Sequence, residues 1–140
     1  MSNLDKSDVE KVCGEVLRAF QRDLSWKWDG RFETVLAEFG VDNKDSVRSI
    51  LERHLSLIWD SSNIASAPDT VRTINIRIAR LRSGQLLFTS DPNRDALIFC
   101  AWWPWGDGKT ISIRIAPFFK KLSDSETTEK IQLFRGWFGV

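Results

Sequence analysis

Thr73-Ile74-Asn75-Ile76-Arg77-Ile78-Ala79 returns later in the chain as Thr110-Ile111-Ser112-Ile113-Arg114-Ile115-Ala116, with only Asn75 exchanged for Ser112. Both copies alternate isoleucine with small or polar residues, which is the two-residue period of a half-buried β-strand. Read as strands, they send all their isoleucines to one core and point Arg77 and Arg114 the other way. The sheet built on these two segments decides the fold.

The flanks of the second copy set its pairing. Asp107-Gly108 is a two-residue hairpin signal between a strand over 96–103 and one over 109–118. That turn pairs Trp105 with Thr110, Trp103 with Ser112, Ala101 with Arg114 and Phe99 with Ala116. Ile98, Cys100, Trp102, Ile111, Ile113 and Ile115 then share one core face. Pro104 has no N–H to donate, which suits a strand end or an edge. The first copy is read as a strand over 71–81. A three-residue loop, Arg82-Ser83-Gly84, joins it to a strand holding Leu86 and Phe88. That loop sets Ile78 opposite Phe88, whereas a two-residue turn would set Ala79 there and reverse every side chain.

Helical spacing dominates the rest. Ser7-Asp8-Val9-Glu10 has the form of a capping box. Val9, Val12, Cys13, Val16, Leu17, Phe20 and Leu24 follow as one apolar stripe, predicting a helix over 7–24. Phe32, Val35, Leu36 and Phe39 predict a short second helix, with Gly40 as a left-handed terminator. Asp42 or Asn43 is positioned to cap a third, whose stripe is Val47, Ile50, Leu51, His54, Leu55 and Ile58. Ser125 or Thr127 opens a last helix, stopped by Gly136. The apolar end, Trp137-Phe138-Gly139-Val140, requires a docking place on this chain or on a second subunit.

The expected fold is therefore one α+β domain over 1–140: three N-terminal helices, a four-stranded antiparallel sheet of two hairpins and one C-terminal helix. A curved, cone-like sheet wrapping a helix satisfies the same pattern. In architecture alone that arrangement is similar to folds of the nuclear transport factor 2 type.

Composition narrows the function. The 140 residues carry 20 Lys and Arg against 19 Asp and Glu, so net charge gives no general pull toward nucleic acid or an anionic membrane. No apolar run approaches the roughly 20 residues of a membrane span, and the first residues lack a signal-peptide pattern. Cys13 and Cys100 lie in apolar surroundings and read as reduced core residues, so the expected location is the cytoplasm. One histidine and two distant cysteines give no metal-ligand spacing, and no nucleotide-binding or nucleophile-elbow motif is present. No metal and no cofactor are expected, and a non-catalytic role is expected ahead of an enzymatic one.

Seven tryptophans and nine phenylalanines, with no tyrosine, point instead to binding. The face opposite the isoleucines gathers Arg77, Phe99, Trp103, Trp105 and Arg114, and Arg can stack on Trp while pairing with an anion. The expected function is protein–protein contact through that face, as a homodimer or with another partner. His54, on the apolar side of the third helix, is the secondary candidate, as a base in a pocket shared with Trp59 and Arg114 that takes a small molecule. Asp60 is the acid nearest to it in sequence. Arg72, Arg77, Arg80 and Arg82 make a basic strand of the kind that binds single-stranded nucleic acid, but a nearly neutral domain makes nucleic acid the least expected partner.

Overall fold

The computed structural model of the protein describes residues 2–20 and 24–140, without the side chains of residues 2–9 and 17. Among the described residues the fold is α+β. One antiparallel sheet of six strands runs in the order β1-β2-β6-β5-β4-β3, with four α-helices packed on it. The strands are β1 (Lys27–Asp29), β2 (Thr34–Gly40), β3 (Leu57–Asp60), β4 (Leu86–Thr89), β5 (Ala96–Pro104) and β6 (Thr110–Phe119). The helices are α1 (Ser2–Phe20), α2 (Lys44–His54), α3 (Asp69–Arg77) and α4 (Asp124–Phe138). None of them is long and apolar enough to cross a membrane.

The central hairpin follows the sequence. β5 and β6 pair Phe99 with Ala116, Ala101 with Arg114 and Trp103 with Ser112. The Trp105 N–H continues the ladder to the Thr110 carbonyl at 2.8 Å. Gly108 makes the turn with φ of 69°, a conformation that costs a residue with a Cβ. Pro104 closes the strand at its exposed end. The inward residues of this hairpin join Val35, Ala37, Phe39 and Phe88 in a core against α1, α2 and α4.

The sheet is larger than four strands because β1, β2 and β3 join it while only one expected strand is lost, and the segments of β2 and β3 are ones expected to be helical. Residues 34–40 form β2 between β1 and β6, with Val35 opposite Ile115 and Ala37 opposite Ile113. Val35, Ala37 and Phe39 enter the main core, while Thr34 and Leu36 are buried on the other face. Burial on both faces erases the polar–apolar alternation that marks a strand. Gly40 is extended, with φ of −75°, and terminates no helix. The predicted third helix stops at His54, and Ile58 with Trp59 belongs to β3, the edge strand beside β4.

The larger correction concerns the repeated segment. Its second copy is β6, but its first copy is α3, so the expected strand over 71–81 and its hairpin with Leu86 and Phe88 do not form. Phe88 pairs instead with Ile58 and Cys100. Pro68 leads into the helix and Asp69 stands in its first turn, which suits the positive end of the helix dipole. Thr73 Oγ1 returns a hydrogen bond to the Asp69 carbonyl at 2.9 Å. Val71, Ile74, Ile78 and Leu81 lie in a second core with Leu87, Leu97, Phe99, Ala101 and Ala116, on the opposite face of the sheet.

The helix is closed by two consecutive left-handed residues, Ala79 (φ 69°) and Arg80 (φ 66°). Here the one exchanged residue of the repeat acts. The Asn75 carbonyl accepts the Arg80 N–H at 2.8 Å, and Asn75 Oδ1 accepts the Leu81 N–H at 2.8 Å. In β6, Ser112 Oγ instead faces the Trp103 carbonyl at 3.4 Å and accepts from Arg114 Nη1 at 3.0 Å.

α1 runs through Ser7, so the expected capping box at 7–10 does not start it, and the side chain of Ser7 lies outside the described residues. Residues 21–23, where the predicted helix over 7–24 would end, are likewise outside them. The capping box of α4 is Ser123 with Glu126, two residues ahead of Ser125 and within the same polar run. The helix continues through Gly136 to a left-handed Gly139. The apolar C-terminus docks on its own chain: Phe138 is buried, edge-on to Trp26 at 5.1 Å.

Helix and strand predict different roles for the isoleucines of the first copy. Ile74 is 0% exposed and Ile76 is 61% exposed. Ile74→Ala should lose about 2–5 kcal/mol of stability, and Ile76→Ala should stay within about 0.5 kcal/mol. Urea denaturation of the two variants checks this, because a strand would make the two losses alike.

Candidate functional site

The face opposite the main core carries four of the five candidate binding residues, but they satisfy one another. Arg114 reaches from β6 across β2 to Asp29 on β1, with Nε 2.7 Å from Oδ2. Its guanidinium carbon lies 4.2 Å from the centroid of the Trp103 ring and 5.6 Å from that of Phe32. Phe32 meets Trp103 edge-on at 5.2 Å. The turn between β1 and β2 thus folds Phe32 over the arginine. Trp103 is half-buried, and its Nε1 is buried without a hydrogen-bond partner among the described residues.

The second arginine has a similar setting. Arg77, at the end of α3, lies 5.7 Å from the Phe99 ring and 3.7 Å from Glu33 Oε2. Burial lowers the Arg77 guanidinium from its ordinary value, and Glu33 pushes the other way. Phe99 itself is fully buried beneath α3.

Trp105 is placed differently. It stands beyond the strand end on the β5–β6 hairpin and is 45% exposed, the most exposed of the seven tryptophans. Asp107 holds the turn beneath it: Oδ1 accepts the N–H groups of Lys109 at 2.8 Å and Thr110 at 3.0 Å. Those bonds, the Lys109 N–H first, hold the Asp107 carboxyl below the usual carboxylate range. Beside Trp105 opens a cleft of about 530 Å³. Leu86, Trp102, Pro104 and Ile111 line its interior, and Lys44, Asp45 and Arg48 from the first turns of α2 stand at its rim.

His54 lies at the other end of α2, on the main-core side of the sheet. Its Nδ1 is 3.2 Å from Glu15 Oε2 of α1. It lines a separate cleft of about 390 Å³. Trp59 and Arg114 lie on the opposite face, where Trp59 Nε1 donates to Thr89 Oγ1 at 3.2 Å. The three residues therefore do not share a pocket. Asp60 is occupied with its own turn, and its carboxyl is held below the ordinary range, first by the Ser62 hydroxyl and then by the Ser62 N–H. Of the arginines expected on a basic strand, Arg72 and Arg77 lie on α3 and Arg80 and Arg82 on the connection to β4, with Arg72 paired to Asp69.

Sequence reasoning missed the partners: Asp29, Phe32 and Glu33 on the β1–β2 turn, and Glu15 on α1. Their contacts span up to 85 positions in sequence, and no local pattern announces such a pairing. Cys13 and Cys100 are buried in the main core, where desolvation pushes the Cys13 thiol up to about 12 and the Cys100 thiol up as well. Among the described residues no group of three or more His, Cys, Asp and Glu could hold a metal ion. No family model, curated protein or solved structure matches the chain, so its function has to be argued from this geometry.

The Asp29–Arg114 pair is nearly closed off, with side chains 13% and 16% exposed. The Lys27–Glu38 pair beside it, at 3.5 Å, is open to water. A double-mutant cycle with Asp29→Asn and Arg114→Met should give a coupling of about 1–3 kcal/mol. The same cycle with Lys27→Met and Glu38→Gln should give less than about 0.5 kcal/mol. Equal couplings in urea denaturation would show that Arg114 is not holding β1 in place.

Proposed function

We propose that this chain is a single α+β binding protein that docks a protein partner, a second copy of itself included, at the end of the sheet where Trp105 stands. The observation that carries the reading is the exposure of Trp105 on a braced hairpin beside a cleft with an apolar interior. Tryptophan is among the residues most enriched at the energetic centres of interfaces. Here it needs little ordering on binding, because the turn is already fixed by the Asp107 carboxylate and the ladder from Trp105 to Thr110. Lys44, Asp45 and Arg48 supply a rim of mixed charge around the apolar interior, the pattern of an interface core with its polar border.

The aromatic–arginine cluster supports this site from below. Trp103, Arg114 and Phe32 lock the root of the hairpin, while Arg77 and Phe99 fasten α3 beside it. The cytoplasm is the compartment that suits the two buried thiols.

Trp105→Ala should change stability by less than about 0.5 kcal/mol and weaken association by about 2 kcal/mol. Sedimentation over a concentration series reads self-association. A photoreactive residue at position 105 reads any other protein partner. Persistence of a monomer at every concentration, together with the absence of a specific cross-link from position 105, would overturn the reading. Trp103→Ala is not an equivalent test, since removing the ring that Arg114 and Phe32 pack on should cost about 3 kcal/mol of fold stability.

A further inference from the structure

The cleft beside His54 brings basic side chains from three elements to one concave surface. It lies between α1, the last turn of α2 and the loop from β4 to β5. Lys11, Arg53 and Arg94 reach it from these three elements, and Val12, Ala96 and Ile98 give it an apolar wall. Two carboxylates are also present, and both are engaged. Glu15 faces His54 Nδ1, and Asp91 Oδ1 accepts the Asn93 N–H at 2.9 Å within its own turn. Lys11 and Arg53 have no ion-pair partner among the described residues. The His54 side chain is 16% exposed, and with Nδ1 turned to Glu15 its Nε2 is left for another group.

We propose that this cleft binds a small organic anion, its phosphate or carboxylate group held by Arg53, Lys11 and His54 and its apolar body resting on Val12, Ala96 and Ile98. A guanidinium fork and an ammonium lining one concave site favour an oxyanion. Low-dielectric walls strengthen that attraction over the same charges on a flat surface. The volume is that of a small-molecule pocket, for which about 300–1,000 Å³ is usual. The site is independent of the Trp105 surface, which lies at the other end of α2.

The test is an NMR titration of the full chain with phenyl phosphate, benzoate and inorganic phosphate. Saturable shifts should appear in the backbone amides of residues 11–15, 53–55 and 90–98 and compete between the three probes. The better of phenyl phosphate and benzoate identifies the anionic group. Lys11 and Arg53 are both exposed, so the Lys11→Glu, Arg53→Glu double variant should keep its fold and its remaining spectrum. It should bind at least about tenfold more weakly. Trp105→Ala should bind as the parent does. Shifts that never saturate, shifts spread over the exposed lysines elsewhere, or unchanged affinity in the double variant would each overturn the proposal.

Discussion

At the β5–β6 turn, Asp107 gathers the N–H groups of Lys109 and Thr110 while Gly108 takes the left-handed conformation that closes the reversal. From there the two strands pair rung by rung to Ala96 and Phe119. Both faces of this hairpin are buried, one under α1, α2 and α4 and the other largely under α3. A slip of one residue would exchange Trp102 and the β6 isoleucines with Trp103, Arg114 and Ser112. That would put a guanidinium in the main core and send the isoleucines to the other face. Each of β2, β4 and α3 then finds its place by the row of side chains the hairpin presents to it.

The Asp29–Arg114 pair solves a problem that this arrangement creates. β1 has three residues and lies at the edge, so its ladder alone gives little hold. Arg114 is fixed by the hairpin and reaches over β2 to secure it. Its charge is matched by Asp29, its Nη1 by Ser112, and its flat faces by Trp103 and Phe32. An arginine so enclosed would be costly without such partners. That explains why residues resembling an open binding surface in sequence form an interior brace, with Trp105 the most exposed among them.

The hairpin, its register and the helices α1, α2 and α4 were legible because each has one decisive local signal: a turn dipeptide or an apolar stripe at helical spacing. β2 was not, because a strand buried on both faces loses its period, and Phe32, Val35, Leu36 and Phe39 imitate a helical stripe. The first copy of the repeat was misread for a related reason. Val71, Ile74 and Ile78 also stand at helical spacing, so the segment satisfies both periods at once. Pro68 and Asp69 tip it toward a helix, as the Asp107-Gly108 turn tips the second copy toward a strand. Near-identical segments thus adopt opposite states through their neighbours and their long-range partners, which outweigh propensities differing by at most ~1 kcal/mol per residue. At the candidate sites, the position of Trp105 and the face of Arg114 followed from the register. Glu15 beside His54 depends on how α1 crosses α2, which no periodicity encodes.

α2 connects the two clefts. Its first turns give Lys44, Asp45 and Arg48 to the Trp105 side, and its last turn gives Arg53 and His54 to the other. Arg48 and His54 are six positions apart, about 9 Å along the axis. The buried residues of the helix, Val47 and Leu51, fasten it to the main core. Arg48 also pairs with Glu52 at 2.8 Å, so the charges of the two ends meet along one exposed side of a single helix. α2 and β5 each line both clefts, so a shift of either as a body is the route by which a ligand in one would act on the other. Val47, Leu51 and Leu55, all buried, oppose a shift of α2, and the ladder from Ala96 to Pro104 against β6 opposes one of β5.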